Sequence, residues 1–311
     1  MSAPEAGVLP ILKPVGPTSH DVVVRARRWF PGRRVGHLGT LDPAAGGLLL
    51  LAVGEATRAA RLLDPPETVK RYRAWAVFGL ETEGDDADGA VTARRGAPGL
   101  TAERVAEVLA GRVGRHLQVP PSRSAVRVGG RHAYSRARDG EAPALAPREV
   151  VLASAAVLAE RRPPQAPDLL EVLLEAHFWR GGYMRALVRD LGRDVGTGAS
   201  VRVLVRGRVG ELDGGAALTL GEAEALAASG GLRSALVPVD HLLARLPAAV
   251  VPFDPDGRHV GRGRAAPTGV AGWVRLCAHV CGPAWALGEA RDGRWFDLVR
   301  LRPADDAEVA R

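Results

Sequence analysis

GHLGTLDP, at residues 36–43, is followed by AAGG at residues 44–47, and this stretch is the most informative part of the chain. It places one acid, Asp42, in a glycine-rich turn that Pro43 stiffens and that a histidine and a threonine precede. A carboxylate displayed in this way can act as a nucleophile if its surroundings keep it ionised. An isolated Asp-Pro pair commonly does no more than start a turn. The other motifs of the chain therefore decide between the two interpretations.

The length and composition of the chain set the first limits. With 311 residues it can bury a substantial core and hold about two domains. The longest apolar run, Leu48–Val53, is far too short to cross a membrane, and the N-terminus lacks the pattern of a signal peptide. The sequence therefore predicts no membrane partner. Only two cysteines are present, so it also predicts no disulfide framework and a cytoplasmic location.

The charge of the chain is strongly basic. A net charge of +7 and a pI of about 10.3 suit a polyanionic partner such as a nucleic acid. Lysine occurs only twice, at Lys13 and Lys70, while asparagine is absent, so a GC-rich coding bias can account for part of the arginine excess. Both lysines nevertheless lie within the motifs described below.

Apolar periodicity predicts a mixture of helices and strands. Helices are expected from Thr18 or Ser19 to about Phe30, over Glu55–Leu63, from Thr101 onward, over Gly182–Val195 and over Leu220–Ala228. Strands are expected over Leu48–Val53, Lys70–Phe78 and Leu169–Phe178. From about Pro247, short apolar runs alternate with Gly, Pro and Asp turns, which indicates a small all-β module of roughly 60 residues.

Two candidate metal sites fail on their ligands. GDDADG at residues 84–89 resembles a calcium loop, but Gly84 and Arg95 would occupy its first and twelfth ligand positions, so we expect a solvated acidic turn. Cys277, His279 and Cys281 share one strand face but have no partner pair elsewhere. The cysteines are therefore expected to act as small apolar residues, and no metal is predicted.

Six short segments remain, and they carry a family resemblance. They are KPVGPTS (13–19), GHLGTLDP (36–43), GEATR (54–58), KRY (70–72), QVPP with SA (118–121 and 124–125) and GYMR (182–185). In order and in spacing they resemble the bacterial tRNA pseudouridine-55 synthase family of the TruB type, from Lys13 to about Leu212. The C-terminal module resembles, more loosely, the PUA-type RNA-binding domain that these enzymes carry.

The resemblance implies both a fold and an activity. The fold would be α+β, with a mixed, mostly antiparallel sheet flanked by helices in a catalytic domain at 1–246, and a PUA-like β domain at 247–311. The activity would be isomerisation of uridine to pseudouridine at position 55 of tRNA, in the TΨC loop, without a cofactor. The family suggests a monomer whose RNA partner is the TΨC stem-loop.

The resemblance also assigns catalytic roles. Asp42 matches the catalytic aspartate, and Arg185 matches the arginine that orients this carboxylate. Tyr72 matches the tyrosine that stacks on the target base and serves in proton transfer. The competing interpretations are an exposed helix arginine at Arg185 and a core tyrosine at Tyr72.

Four further residues match substrate-binding positions. His37 matches the histidine that stabilises the opened RNA loop, and a structural histidine with satisfied hydrogen bonds is the alternative. Tyr183 matches a second pocket tyrosine and Leu204 an apolar pocket residue. Lys13 would support the active-site loops, and an exposed surface lysine is the alternative.

The sequence departs from the family at residues 179–185, where WRGGYMR replaces the usual SKGTYIR. The tyrosine and the arginine are retained, so this departure affects local RNA contacts rather than the chemistry. Two other functions stay open. The chain could be an RNA-binding factor that opens and recloses the tRNA elbow, or a synthase that acts on another RNA.

Overall fold

The computed structural model describes residues 6–124, 126–128, 131–132, 145–251, 260, 262–277 and 284–301. The α-helices in these ranges are α1 (Ser19–Trp29), α2 (Ala60–Leu63), α3 (Ala102–Ala110), α4 (Met184–Asp194), α5 (Leu220–Ala228) and α6 (Val239–Leu242). The strands are β1 (Gly7–Lys13), β2 (Val35–Leu38), β3 (Ala45–Val53), β4 (Lys70–Phe78), β5 (Leu80–Thr82), β6 (Val91–Arg94), β7 (Gly114–Gln118), β8 (Arg127–Val128), β9 (Arg131–His132), β10 (Arg148–Arg161), β11 (Leu170–Phe178), β12 (Ala199–Val209), β13 (Leu212–Asp213), β14 (Leu218–Thr219), β15 (Val237–Pro238), β16 (Ala248–Val250), β17 (Gly272–Cys277), β18 (Ala284–Arg291) and β19 (Arg294–Arg300).

A large mixed sheet forms the body of the protein, with the strand order β14-β1-β3-β12-β4-β11-β10-β7. Three short strands, β2, β13 and β15, pair with β3, β12 and β1. The pairs β1–β14 and β3–β12 are parallel, and the other pairs of this sheet are antiparallel. The predicted α+β class with a mixed, mostly antiparallel sheet is confirmed.

The central strand β3 is buried on both of its faces. Leu49 and Leu51 join an apolar cluster that includes the inward faces of α1 and α4. Leu48 and Leu50 join a second cluster, which includes Cys277 of the C-terminal sheet. Burial on two faces explains why this strand is a continuous apolar run and does not alternate.

Helix α1 begins at a complete capping box. The Thr18 hydroxyl accepts a hydrogen bond from the Asp21 amide at 3.0 Å, and the Asp21 carboxylate accepts one from the Thr18 amide at 2.8 Å. This arrangement satisfies donors that the first turn of a helix otherwise leaves unpaired. The periodicity predicts an apolar stripe at Val22, Ala26 and Trp29. The helix buries Val22 and Ala26 together with Val23, while Trp29 is partly buried against the same cluster.

A separate C-terminal sheet has the order β16-β17-β18-β19. Trp285 and Trp295 lie in its own apolar cluster. Cys277 is a buried strand residue, as predicted. His279 and Cys281, which the sequence places on the same strand face, lie outside the described residues.

Some elements differ from the sequence prediction. The helix expected over Glu55–Leu63 is a 3₁₀ turn at Gly54–Thr57 followed by the short helix α2. Periodicity does not predict β1, β10 or β12, and in β12 two β-bulges interrupt the two-residue alternation. None of the helices in the described part of the chain is both long enough and apolar enough to span a membrane.

Candidate active site

A cavity of about 400 Å³ lies beside the Asp42 turn, a volume within the usual range for small-ligand sites. Of the seven residues that the sequence singles out, all but Lys13 line it. These lining residues are His37, Asp42, Tyr72, Tyr183, Arg185 and Leu204. The fold therefore brings segments that are distant in the chain to one site.

The Asp42 turn joins β2 to β3 and is held on both sides of the acid. The Ser19 hydroxyl donates to the Leu41 carbonyl and accepts from the Leu41 amide, each at 2.8 Å. The Gly16 amide donates to the Pro43 carbonyl at 2.9 Å. These bonds join the KPVGPTS and GHLGTLDP motifs into one unit and fix the backbone that carries Asp42.

Lys13 supports the same unit from behind the cavity. It is only 1% exposed, so the surface-lysine interpretation is wrong. Its Nζ donates to the carbonyls of Pro14 and Pro17, each at 2.8 Å, and lies 3.5 Å from the Pro43 carbonyl. Burial lowers the pKa of Lys13 to about 8, although the Asp42 carboxylate opposes this shift.

Arg185, near the start of α4, is 3% exposed and lies among four oxygen atoms. Its Nη2 is 2.8 Å from Asp42 Oδ2 and donates to the Arg123 carbonyl at 2.7 Å. Its Nη1 is 3.2 Å from Asp86 Oδ2 and donates to the Gly84 carbonyl at 2.7 Å. The interpretation as an exposed helix arginine is therefore wrong. The buried guanidinium holds the Asp42 carboxylate, which stays 33% exposed.

The acidic turn Glu81–Gly89 contacts α4, and the prediction of a solvated turn is wrong for Asp85 and Asp86, although Asp88 is exposed. Asp86 is 6% exposed and pairs with Arg185, while Asp85 lies 3.0 Å from Arg189 Nη1. Burial raises the pKa of Asp86, and the Arg185 guanidinium opposes this shift. The two arginines are four residues apart on α4, so both face the turn.

Two tyrosines and a leucine supply much of the apolar lining. Tyr72 lies on β4, and Leu204 on β12 pairs with Ala45 of β3. Tyr183 precedes α4, and the side chain of Gln118 holds its backbone through two hydrogen bonds of 3.1 and 2.9 Å. Burial raises the pKa of the Tyr183 phenol.

His37 reaches the cavity from β2. Burial lowers the pKa of His37, and the positive charge of Arg206 lowers it further, so the neutral imidazole is favoured at neutral pH. Its Nδ1 is buried and has no hydrogen-bond partner within the ranges that the structure describes.

Four charged residues line the cavity although the sequence motifs assign them no role. They are Asp64, Lys70, Arg180 and Arg206. The sequence does mark Lys70 as a candidate functional residue, because it is one of only two lysines and lies two residues before Tyr72. Nothing in the sequence distinguishes Arg180 or Arg206 from the many other arginines of this chain.

The family of this chain follows from comparisons of sequence. The model of the TruB family pseudouridylate synthase (N terminal domain) matches residues 27–184. A tRNA pseudouridine synthase B from Mycobacteroides abscessus is 43% identical over 217 residues, which cover 70% of this chain and 72% of that protein. The protein of the same name from Mycobacterium sp. (strain KMS) is 38% identical over 298 residues, 96% of this chain and 97% of that protein.

Solved structures agree on the fold. A chain of a Cbf5-Nop10-Gar1 complex superposes with a TM-score of 0.67 at 24% identity, covering 97% of this chain and 86% of that one. A chain of the archaeal box H/ACA sRNP Nop10-Cbf5 complex gives 0.67 at 21% identity, with coverages of 97% and 88%. The family match spans half of the sequence, and one relative aligns along nearly all of it. The chain belongs to the TruB family of pseudouridylate synthases.

Proposed function

We propose that this protein isomerises uridine to pseudouridine at position 55 of tRNA, in the TΨC loop, with Asp42 as the nucleophile. The observation that carries the proposal is the Asp42 carboxylate, displayed at the cavity and held 2.8 Å from the buried Arg185 guanidinium. The relatives named tRNA pseudouridine synthase B support tRNA as the substrate. The reaction is an isomerisation, so it needs no redox or group-donating cofactor.

The reaction exchanges one bond at C1′ for another. The C1′–N1 bond breaks and a C1′–C5 bond forms, while C5 loses a proton and N1 gains one, so the atoms balance. Asp42 attacks C1′ or C6, or assists departure of the base through a glycal route. In each case Arg185 fixes the direction of the carboxylate before the base arrives, which removes reorganisation from the reaction step.

The cavity receives the base once it has left its stack, as enzymes that act on a base require. In our proposal Tyr72 stacks on the uracil ring and takes part in proton transfer. Tyr183 and Leu204 line the rest of the cavity around the base. His37 stabilises the opened RNA loop, and Lys13 supports the Asp42 turn from behind.

The two parts of the chain have separate roles in this proposal. Residues 1–246 form the catalytic domain, and residues 247–311 form a PUA-like domain that contacts RNA. An exposed Phe296 with the Arg291 guanidinium 3.8 Å from its ring centre supports an RNA surface there. The enzyme acts as a monomer in the cytoplasm.

The substrate is tested by release of tritium from RNA labelled at C5 of uridine, because this hydrogen leaves when C5 bonds to C1′. We expect release from a TΨC stem-loop to be at least about 10²-fold faster than release from an rRNA hairpin of equal length. Equal rates would favour a synthase of broader RNA specificity. Binding of tRNA without any release would favour the RNA-folding factor.

Affinity for tRNA should depend strongly on salt. The net charge of +7 and the half-exposed Arg180 at the cavity predict several phosphate contacts. We expect Kd to rise by roughly 10²-fold between 50 and 200 mM salt, because released counterions drive such binding. Filter binding at four salt concentrations measures the slope, and an affinity that stays flat would contradict binding through phosphates.

Asp86 should govern the acid limb of the pH profile. Burial raises its pKa, so Asp86 takes up a proton at a higher pH than an exposed aspartate and then no longer helps to hold Arg185. We expect kcat to fall on acidification with a midpoint above 3.8, the ordinary value. In Asp86→Asn, kcat at neutral pH should be about tenfold lower and the acid limb should move to lower pH.

The matched control is Asp88→Asn, because Asp88 is an exposed acid in the same turn and its charge raises the pKa of Asp86 less than burial does. Its acid limb should move to lower pH by much less than that of Asp86→Asn, and its kcat at neutral pH should match the wild type. A profile for Asp86→Asn that coincides with the wild type would show that Asp86 has no part in holding the site.

A further inference from the structure

Three buried charged side chains meet at Gly39 and have no part in the chemistry proposed above. Arg206, Lys70 and Asp64 are 1%, 5% and 5% exposed, and all three line the cavity. Lys70 Nζ lies 3.0 Å from Asp64 Oδ2, so these two form a buried ion pair. Burying charged groups is unfavourable unless specific partners compensate them, so the partners of Arg206 need an explanation.

The turn that leads to Asp42 packs directly onto this cluster. Gly39 has φ +85°, a backbone conformation that residues other than glycine rarely adopt. A Cβ at this position would lie 2.9 Å from Lys70 Nζ and 3.6 Å from Arg206 Nη1. Gly39 is therefore favoured by its backbone angle, and a Cβ there would also crowd the Lys70 ammonium.

The side chain of Arg206 holds this turn by binding backbone carbonyls. Nη2 donates to the Gly39 carbonyl at 3.0 Å, Nη1 to the Thr40 carbonyl at 3.2 Å, and Nε to the Leu48 carbonyl at 2.8 Å. The planar guanidinium thus grips two consecutive carbonyls of the turn and one carbonyl of β3, a geometry that a single ammonium cannot reproduce.

Arg206 is itself anchored in a rigid part of the fold. It lies in β12, between β3 and β4, and its Cα pairs with that of Gly47 in the parallel β3 register. Its backbone approaches Gly47 so closely that a Cβ there would lie 2.3 Å from the Arg206 carbonyl oxygen. The hydrogen bonds of the guanidinium therefore fix the turn relative to the large mixed sheet.

These contacts complete the support of Asp42. Ser19 fixes Leu41 on one side of the acid, and Gly16 with Lys13 fixes Pro43 on the other. Arg206 fixes the two residues before Leu41. A displacement of the carboxylate by about 1 Å is enough to slow a reaction of this kind by about 10²-fold.

We propose that Arg206 is a positioning residue for Asp42, and that the Lys70–Asp64 ion pair supports the same turn from beneath Gly39. This inference rests on the proposed function, because it takes Asp42 as the nucleophile. It gives Arg206 an effect on the chemical step and none on the affinity for RNA.

The test compares Arg206→Met and Arg206→Lys with the wild type in single-turnover reactions and in tRNA binding. In Arg206→Met the rate should fall by about 10²-fold, with Kd within about threefold, because the carbonyls of Gly39, Thr40 and Leu48 lose their donor and the turn shifts. Arg206→Lys keeps the positive charge but lacks the planar guanidinium, so its rate should lie between that of the wild type and that of Arg206→Met. If Arg206→Met does not fold, the rate and Kd of Arg206→Lys decide.

Arg208→Met is the matched control. Arg208 lies on the same strand and its Nε also donates to a backbone carbonyl, that of Gly210 at 2.9 Å, but it is exposed and does not line the cavity. It should keep the wild-type rate and Kd. The positioning role is overturned if Arg206→Met reacts at the wild-type rate, or if Kd rises in step with the loss of rate.

Failure of the proposed function would look different, because the wild type and Arg208→Met would then also form no pseudouridine in tRNA. In that case crystal structures of the wild type and Arg206→Met decide the inference. A displaced Asp42 turn would support positioning by Arg206, and an unchanged turn would overturn it.

Discussion

Asp42→Asn will fold, bind tRNA and form no measurable pseudouridine. We expect kcat to fall by at least about 10⁴-fold, because an amide cannot replace a carboxylate as a nucleophile. The amide oxygen can still accept a hydrogen bond from Arg185, whose other partners remain in place. We therefore expect Kd for tRNA to stay within about threefold. Single-turnover reactions with nucleoside analysis, together with filter binding, measure both quantities.

Asp297→Asn is the control for this substitution, because it makes the same chemical change at an exposed acid of the C-terminal sheet. It should keep the wild-type rate. A rate for Asp42→Asn within tenfold of the wild type would exclude Asp42 as the nucleophile.

Arg185→Gln should reduce both activity and stability. Two carboxylates, Asp42 and Asp86, would lose the buried guanidinium that compensates them. Removing one partner of a buried ion pair costs about 3–5 kcal/mol in the free energy of unfolding. We expect kcat to fall by about 10³-fold as well, because nothing then orients the Asp42 carboxylate. Urea unfolding and single-turnover kinetics measure the two effects.

Arg189→Gln is the control on the same helix. Arg189 pairs with Asp85 of the acidic turn and is 12% exposed, but it does not line the cavity. It should lose some stability and keep kcat within about threefold. Equal losses of kcat in the two variants would mean that Arg185 acts only through the general packing of α4 on the acidic turn.

The sequence predicts the elements whose residues repeat with one clear period. Helix α4 shows its apolar stripe at Leu187, Val188 and Leu191, and all three are buried. Strand β4 has the predicted bounds, Lys70–Phe78. β12 is not predicted, because its bulges shift the alternation twice and because exposed Val203 and Val205 hide which face is buried.

The residues of the candidate site likewise divide into those that the sequence indicates and those that only the fold reveals. Asp42 lies in a motif that is distinctive as a string of residues. Arg185 lies in a weaker segment, and the sequence singles it out only through the resemblance that the six segments carry together. Asp86 and Arg206 are ordinary charged residues until the fold gives them partners. The bond from Arg206 to the Thr40 carbonyl joins residues 166 positions apart, and no local pattern reports such a contact. An acidic turn likewise has the same composition whether water or a buried arginine faces it.

Mapping pseudouridine at single-nucleotide resolution in a tRNA treated with wild type and with Asp42→Asn tests the central claim most directly. We expect one new pseudouridine, at position 55, with the wild type and none with Asp42→Asn, although both proteins bind the tRNA. A pseudouridine at position 55 made equally well by both proteins would contradict the role of Asp42, and a product at another position alone would contradict the proposed substrate.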